Sequence, residues 1–277
     1  MSESCKGAHL RANDIRQHYL HLAGPGPAVL IVPGIVSPAI LWRHAGEYLA
    51  ADYDCYILDV RGRGLSESGP HLDYGVNACA RDVAAFIQAA GLHAPIVLGH
   101  SMGARIALRA AAMAPQSFAG GLVLIDPPTS GPGRRAYPVP KARTVGLLRA
   151  AHRGEALEAM RSSGATPWPQ ALQALRAEWL STCDERAVHV TYDDFHAEDI
   201  FADIARIQAP LSLLCAGAGG VVSDDDVAEM RQLRKDLAVT RLPGVGHQMQ
   251  AEDFEAFKPA LGAILARHVQ TLERNRN

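Results

Sequence analysis

Gly99-His100-Ser101-Met102-Gly103 sets a serine between two glycines. A serine hydroxyl attacks a carbonyl carbon only when a base takes its proton and hydrogen-bond donors receive the oxyanion. The surroundings of this short pattern give it weight. The apolar run Pro95–Leu98 leads straight into it, and an Ala-rich helical stretch from Ala104 follows. A strand–turn–helix corner forces strained dihedrals on the central serine, and the flanking glycines remove side chains that would collide there. Ser101 would then project from the C-terminal edge of a sheet, above a helix N-terminus. The chemistry on offer is acyl transfer through a serine-bound intermediate.

Such a serine needs a base, and the chain has 12 histidines. His247 is the candidate. It lies in Gly244-Val245-Gly246-His247, after the short run Val239–Leu242 and before the last helical pattern, which puts it at the same sheet edge as Ser101. His100 adjoins Ser101 but points elsewhere, so it reads as packing. His18 and His21 fall on opposite faces of a strand and make poor joint metal ligands. The imidazole needs a carboxylate to hold its tautomer, and two positions compete. Asp126 ends the apolar run Leu122–Ile125, whereas Asp224, Asp225 and Asp226 follow Ser223. Ser223 can cap a helix whose first turn favours acids. That accounts for the three aspartates and leaves Asp126. For the oxyanion, the loop Pro33-Gly34-Ile35-Val36 offers the Ile35 N–H beside that of Met102.

Two further clusters carry less. Asp59-Val60-Arg61-Gly62-Arg63-Gly64-Leu65-Ser66 is Gly-rich but lacks the spacing of a phosphate-binding loop. It reads as a turn whose arginines brace neighbouring loops. Asp193, Asp194, His196, Glu198 and Asp199 lack paired-histidine spacing, so they read as a solvated or hinge segment and not a metal site.

The elements that must position these residues follow from periodicity. Ala8–Arg11 and Ile15–Leu22 flank Asn13-Asp14 and suggest a hairpin. Continuous apolar runs at Ala28–Val32, Cys55–Leu58, Pro95–Leu98, Leu122–Ile125 and Leu211–Ala216 suit strands buried on both faces. Helical stripes sit between them, among them Cys79, Val83, Phe86, Ile87 and Ala90, then Ile106, Ala110 and Met113, then Val227, Met230 and Leu233. A last stripe, Phe254, Phe257, Leu261, Ile264 and Leu265, contains Pro259, which should kink or restart it. Strands alternating with helices predict a mostly parallel sheet flanked by helices. The alternation fails from about residue 130 to 207, where helical stripes such as Leu172, Leu175 and Trp179 sit among prolines. A helical cap over 130–207, inserted after the sixth strand, is expected on a core formed by 1–129 and 208–277.

Composition narrows the function classes. With 48% hydrophobic and 20% charged residues, the 277-residue chain is an ordinary globular one. A net charge of -2 leaves no basic excess for nucleic acid or an acidic membrane. The five scattered cysteines form no C-x-x-C pair, which points to a reducing, cytoplasmic setting. Neither a signal-peptide core nor a membrane-spanning apolar run is present.

Together the hairpin, the Pro-Gly loop, the D-x-R-G-x-G-x-S turn, the G-H-S-M-G corner and the late histidine resemble the α/β-hydrolase superfamily over essentially the whole chain. More closely, Val32–Ile40, Leu58–Ser66, Gly99–Arg105, Asp126–Pro138 and Asp193–His196 are similar to its deformylases of bacterial nicotinate breakdown. In many hydrolases of this design the acid follows a later strand as G-x-x-D; here that stretch is Gly217-Ala218-Gly219-Gly220. The resemblance therefore places the catalytic set on Ser101, Asp126 and His247. It implies an amidohydrolase that removes a formyl group from a small acidic amide, with no metal and no organic cofactor. Such a substrate carries a carboxylate. Arg134 and Arg135 with Tyr137 are the expected binders, and Trp168, Tyr192, Phe195 and His196 the expected pocket lining. A second reading is a carboxylesterase or carbon–carbon bond hydrolase acting on an acidic ring-cleavage product. A third, a non-catalytic receptor on the same fold, is disfavoured because all three catalytic residue types are present.

Overall fold

The computed structural model describes residues 5–162 and 168–276. It opens with a hairpin of β1 (Lys6–Ala12) and β2 (Ile15–Leu22). Asn13 and Asp14 make the turn at φ of 49° and 61°, the left-handed pair that a two-residue hairpin demands. Then come β3 (Ala28–Val32), α1 (Arg43–Leu49), β4 (Asp54–Leu58), α2 (Val76–Ala89), β5 (Ile96–His100), α3 (Met102–Met113) and β6 (Leu122–Ile125). Five helices follow without a strand among the described residues: α4 (Lys141–His152), α5 (Ala156–Ser162), α6 (Gln170–Trp179), α7 (Glu185–Ala197) and α8 (Ile200–Ile204). Residues 163–167 of that stretch, with Pro167 among its prolines, lie outside the described ones. The chain closes with β7 (Leu211–Ala216), α9 (Asp224–Leu233), β8 (Ala238–Leu242), α10 (Met249–Glu252) and α11 (Phe254–Arg276).

The eight strands form one sheet in the order β1-β2-β4-β3-β5-β6-β7-β8. The hairpin is antiparallel, and the pairs from β4 to β8 are parallel. Period-two alternation splits the buried strands between two cores. Leu30, Val97, Leu124 and Leu213 join α2 and α3 on one face. Val29, Ile31, Leu98, Val123 and Leu214 meet Trp42 and the α11 residues Phe257, Leu261 and Ile264 on the other. With both faces covered, the strand ends become the place where side chains reach an open edge.

Two details differ from expectation. Strand β5 extends two residues further, to His100, and α3 starts at Met102. The turn between them is therefore the single residue Ser101. Helix α11 runs unbroken through Pro259. The restart occurs earlier, at Asp253, so proline falls in the second turn, where the missing N–H forfeits only the bond to the Glu255 carbonyl near the helix start. Among the described residues no helix is long and apolar enough to cross a membrane.

Candidate active site

Ser101 has φ 52° and ψ -119°, a conformation held from both sides. Its N–H donates to the Ile125 carbonyl at 2.9 Å, and its own carbonyl accepts from Ala104 N–H at 3.0 Å. Gly103 is obligatory here, because a Cβ would lie 1.9 Å from the Val32 carbonyl oxygen. The strain projects a hydroxyl that is buried yet makes no well-formed hydrogen bond to the protein, with the Tyr137 hydroxyl the side-chain group facing it. Such an orphaned hydroxyl at a strained turn is a functional signal.

Asp126 leaves the end of β6 at φ 42°, also strained, and is fully buried. Its Oδ2 accepts from Val221 N–H at 3.0 Å and from His247 Nδ1–H at 2.6 Å; its Oδ1 accepts from Ala216 N–H at 3.2 Å. Burial pushes its pKa up, but the His247 bond and charge and the two backbone bonds outweigh that, and the carboxyl sits below its usual range. An ionised Asp126 keeps the proton on His247 Nδ1 and leaves the Nε2 lone pair free as a base. At Gly220, where a later-strand acid would stand, a Cβ would fall 3.1 Å from Asp126 Oδ1 and 2.7 Å from the Ala216 Cβ. A side chain at 220 and an acid at 126 thus compete for one space.

The His247 loop is clamped from below. Glu252 accepts from Gly246 N–H at 2.9 Å and Gln248 N–H at 3.0 Å, one carboxylate oxygen each. The His247 carbonyl accepts from His100 Nε2–H at 3.0 Å. That bond fixes the proton of His100 on Nε2. Burial, with the neighbouring His247, pushes its pKa down to about 3 and keeps the ring neutral. Glu252 escaped the sequence reading, since nothing in its spacing separates it from an ordinary helix-end acid.

The Ile35 N–H and the Met102 N–H, the first of α3, donate to no group among the described residues and stand near Ser101. The Ile35 carbonyl is pinned at 3.1 Å by Arg63 Nε, whose guanidinium also donates to the Ala187 carbonyl and to Thr191. Arg61 forks onto Asp82. Both arginines of the Gly-rich turn brace loops, as their setting suggested.

Ser101, His247 and Ile35 line one cavity of about 710 Å³. Of the seven residues expected to contact substrate, Tyr137, Trp168 and Tyr192 line it. The other four do not. Arg134 forks onto Glu229 at 2.8 and 2.7 Å and lies 3.6 Å over the Phe201 ring. Arg135 donates to the Val221 carbonyl at 2.9 Å and reaches Asp226. The acids of α9 compete successfully for both guanidinium groups. Phe195 is buried behind Tyr137 and Tyr192, at ring distances of 4.8 and 5.7 Å. His196 donates from Nδ1 to the Tyr192 carbonyl and accepts at Nε2 from Tyr137 N–H, so it holds the lining in place. The arginines that do line the cavity are Arg143 and Arg176.

The acidic segment at the end of α7 is solvated only in part: Asp193 is exposed and pairs with Lys141, but the other acids have fixed partners. Asp194 accepts from Val76 N–H at 2.7 Å, Glu198 pairs with Arg109 at 2.8 Å, and Asp199 caps α8. These bonds tie the helices to the sheet layer. No metal-holding group of His, Cys, Asp or Glu occurs among the described residues. Ser223 and Asp226 form the capping box of α9, which accounts for the acids there.

Known proteins give the arrangement a context. The family model described as the alpha/beta hydrolase fold matches residues 27–254. The chain is 48% identical to N-formylmaleamate deformylase of Pseudomonas putida over 96% of its own length and 98% of that enzyme's. A crystal structure of the N-formylmaleamic acid deformylase of Pseudomonas putida S16 superposes with a TM-score of 0.88 at 43% identity, covering 92% of this chain and all of that one. An E-2-(acetamidomethylene)succinate hydrolase shares the fold, with a TM-score of 0.77 at 23% identity over 93% of this chain and 98% of that one. A parallel sheet with an orphaned serine on a one-residue turn, a strand-end acid, a late histidine and a family match across most of the length leave one conclusion: the chain belongs to the α/β-hydrolase family.

Proposed function

We propose that the chain hydrolyses N-formylmaleamate to maleamate and formate through a formyl-serine intermediate. The observation that carries the substrate is the 48% identity to the deformylase, which spans nearly the full length of both chains. It takes in the β6–β7 segment as well as the sheet. We read that segment, residues 130–207, as a cap on a core of 1–129 and 208–277, with Tyr137, Trp168 and Tyr192 facing substrate. The free state of all five cysteines supports a cytoplasmic setting.

In this reading His247 Nε2 takes the proton of Ser101 as Oγ attacks the formyl carbon. The Ile35 and Met102 N–H groups receive the oxyanion. Asp126 balances the imidazolium, which then protonates the departing nitrogen and releases maleamate. That nitrogen lies between two carbonyls, so its electron pair is delocalised and it leaves more readily than a simple amine. Water, deprotonated by His247, attacks the formyl ester and frees formate. No step calls for a metal or organic cofactor. Formate release from N-formylmaleamate, compared between the wild type and Ser101→Ala, tests the proposal. The expected result is rapid release that the variant lacks. A wild-type protein that cleaves an activated ester but releases no formate would overturn the substrate and favour the esterase reading.

A further inference from the structure

We infer that Arg176 is the carboxylate anchor of this cavity, with Arg143 beside it on the rim. The inference rests on the hydrolase reading above and names the substrate feature that the cavity selects: an anionic carboxylate on the group attached to the scissile bond.

Helix α6 carries Leu172, Arg176 and Trp179 at i, i+4 and i+7, so Arg176 occupies its apolar stripe and not its solvent face. The guanidinium stacks on Trp168 at 4.6 Å. Its Nε is fully enclosed and bonded to nothing. No carboxylate pairs with Arg176 or Arg143 among the described residues, in contrast to Arg134, Arg109 and Arg61, whose forks are closed on acids. Burial, together with the nearby Arg143 charge, pushes the Arg176 pKa down to about 10. Two like charges share the cavity wall with no anion between them, and the enclosed Nε of the half-buried Arg176 leaves a donor unpaired, which is costly. The single carboxylate among the described lining residues is Glu252, whose two oxygens are committed to Gly246 and Gln248. Leu147, Met160 and Trp168 complete an apolar wall suited to a short carbon chain. A planar carboxylate fits the guanidinium fork and would remove the repulsion.

The test is inhibition of p-nitrophenyl formate hydrolysis by maleamate. This ester forms the same formyl-serine and has no carboxylate, so the readout does not depend on N-formylmaleamate being the substrate. Wild type, Arg176→Met and Arg176→Gln are compared through the ratio of the maleamate Ki to the ester KM measured in the same protein. The ratio is expected to rise about 100-fold in both variants, the usual penalty for unpairing a buried charge, with the glutamine variant serving if the methionine one does not fold. Uncharged maleamide should inhibit wild type and variants equally. Equal maleamate ratios in wild type and a folded variant would overturn the assignment, even with deformylation intact. Failure to cleave N-formylmaleamate alongside the expected ratio shift would instead overturn the substrate and leave the anchor standing.

Discussion

Replacing Asp126 with Asn removes a charge and keeps the shape, so the consequences follow from hydrogen-bond bookkeeping. Three N–H groups point at this carboxylate, one at Oδ1 and two at Oδ2. An amide has one oxygen, so its NH2 must face a donor. With NH2 at the Oδ1 position, only Ala216 N–H, the longer bond at 3.2 Å, loses its acceptor. With NH2 at the Oδ2 position, Val221 N–H is orphaned and His247 must accept at Nδ1, which moves its proton to Nε2 and removes the base. The first arrangement wins. One orphaned buried N–H costs about 1–3 kcal/mol, which for a chain of this size lowers Tm by about 2–4 °C per kcal/mol. The imidazole keeps its useful tautomer and loses only the charge facing the developing imidazolium. Unit charges about 4 Å apart at an effective dielectric of about 20 interact by about 4 kcal/mol. The expected fall in kcat is therefore about 10³-fold. Formate release and thermal unfolding, measured on one preparation, check both numbers. A kcat within tenfold of wild type would refute Asp126 as the imidazole's partner, and an unchanged Tm would refute the bonding described here.

Glu252→Gln leaves one oxygen for two backbone N–H groups, so the His247 loop loosens. A fall in kcat of about 10-fold with a smaller change in KM is expected, and steady-state kinetics on the ester will show it. Stability should depend on acid through His100. Its folded value of about 3 lies below the unfolded value of about 6.5, so the unfolded chain binds the extra proton between them. Stability should fall as pH drops through that window, by about 1.4 kcal/mol per unit. Urea unfolding at several pH values measures the slope, and His100→Gln should flatten it. Asp126, with its pKa lowered by folding, adds a loss only at the acid end, as pH falls below the ordinary carboxylate range.

The strand and turn chemistry was legible because it is local. Apolar runs bounded by Gly and Pro located β3 to β7, and glycines flanking Ser101 marked a corner that sterics then enforces at Gly103. Asp126 was readable from the glycine at 220, and the structure supplies the reason, a Cβ there meeting the acid itself. The cavity's cations were not read correctly. Arg134 and Arg135 follow the Asp126 loop closely in sequence, but their fate is set by Glu229 and Asp226 about ninety residues later. A signal for Arg176 did exist, since it interrupts the stripe of Leu172, Leu175 and Trp179 with a charge. An arginine on an inward helix face needs a partner, and none is written nearby. The acidic run at 193–199 was legible in part, since Asp193 is solvated as expected while Asp194 and Glu198 are not. Their partners Val76 and Arg109 sit on α2 and α3, where no local pattern announces them.

The central claim is that Ser101 attacks the formyl carbon and not the other carbonyl on the same nitrogen. Rapid acid quench of the protein turning over N-formylmaleamate, followed by mass analysis of the Ser101 peptide, reads this directly. A formyl ester adds about 28 Da to Ser101, and formate with maleamate accumulates. An adduct of about 98 Da, with formamide released, would place the attack on the maleyl side and contradict the account. So would undiminished formate release from Ser101→Ala.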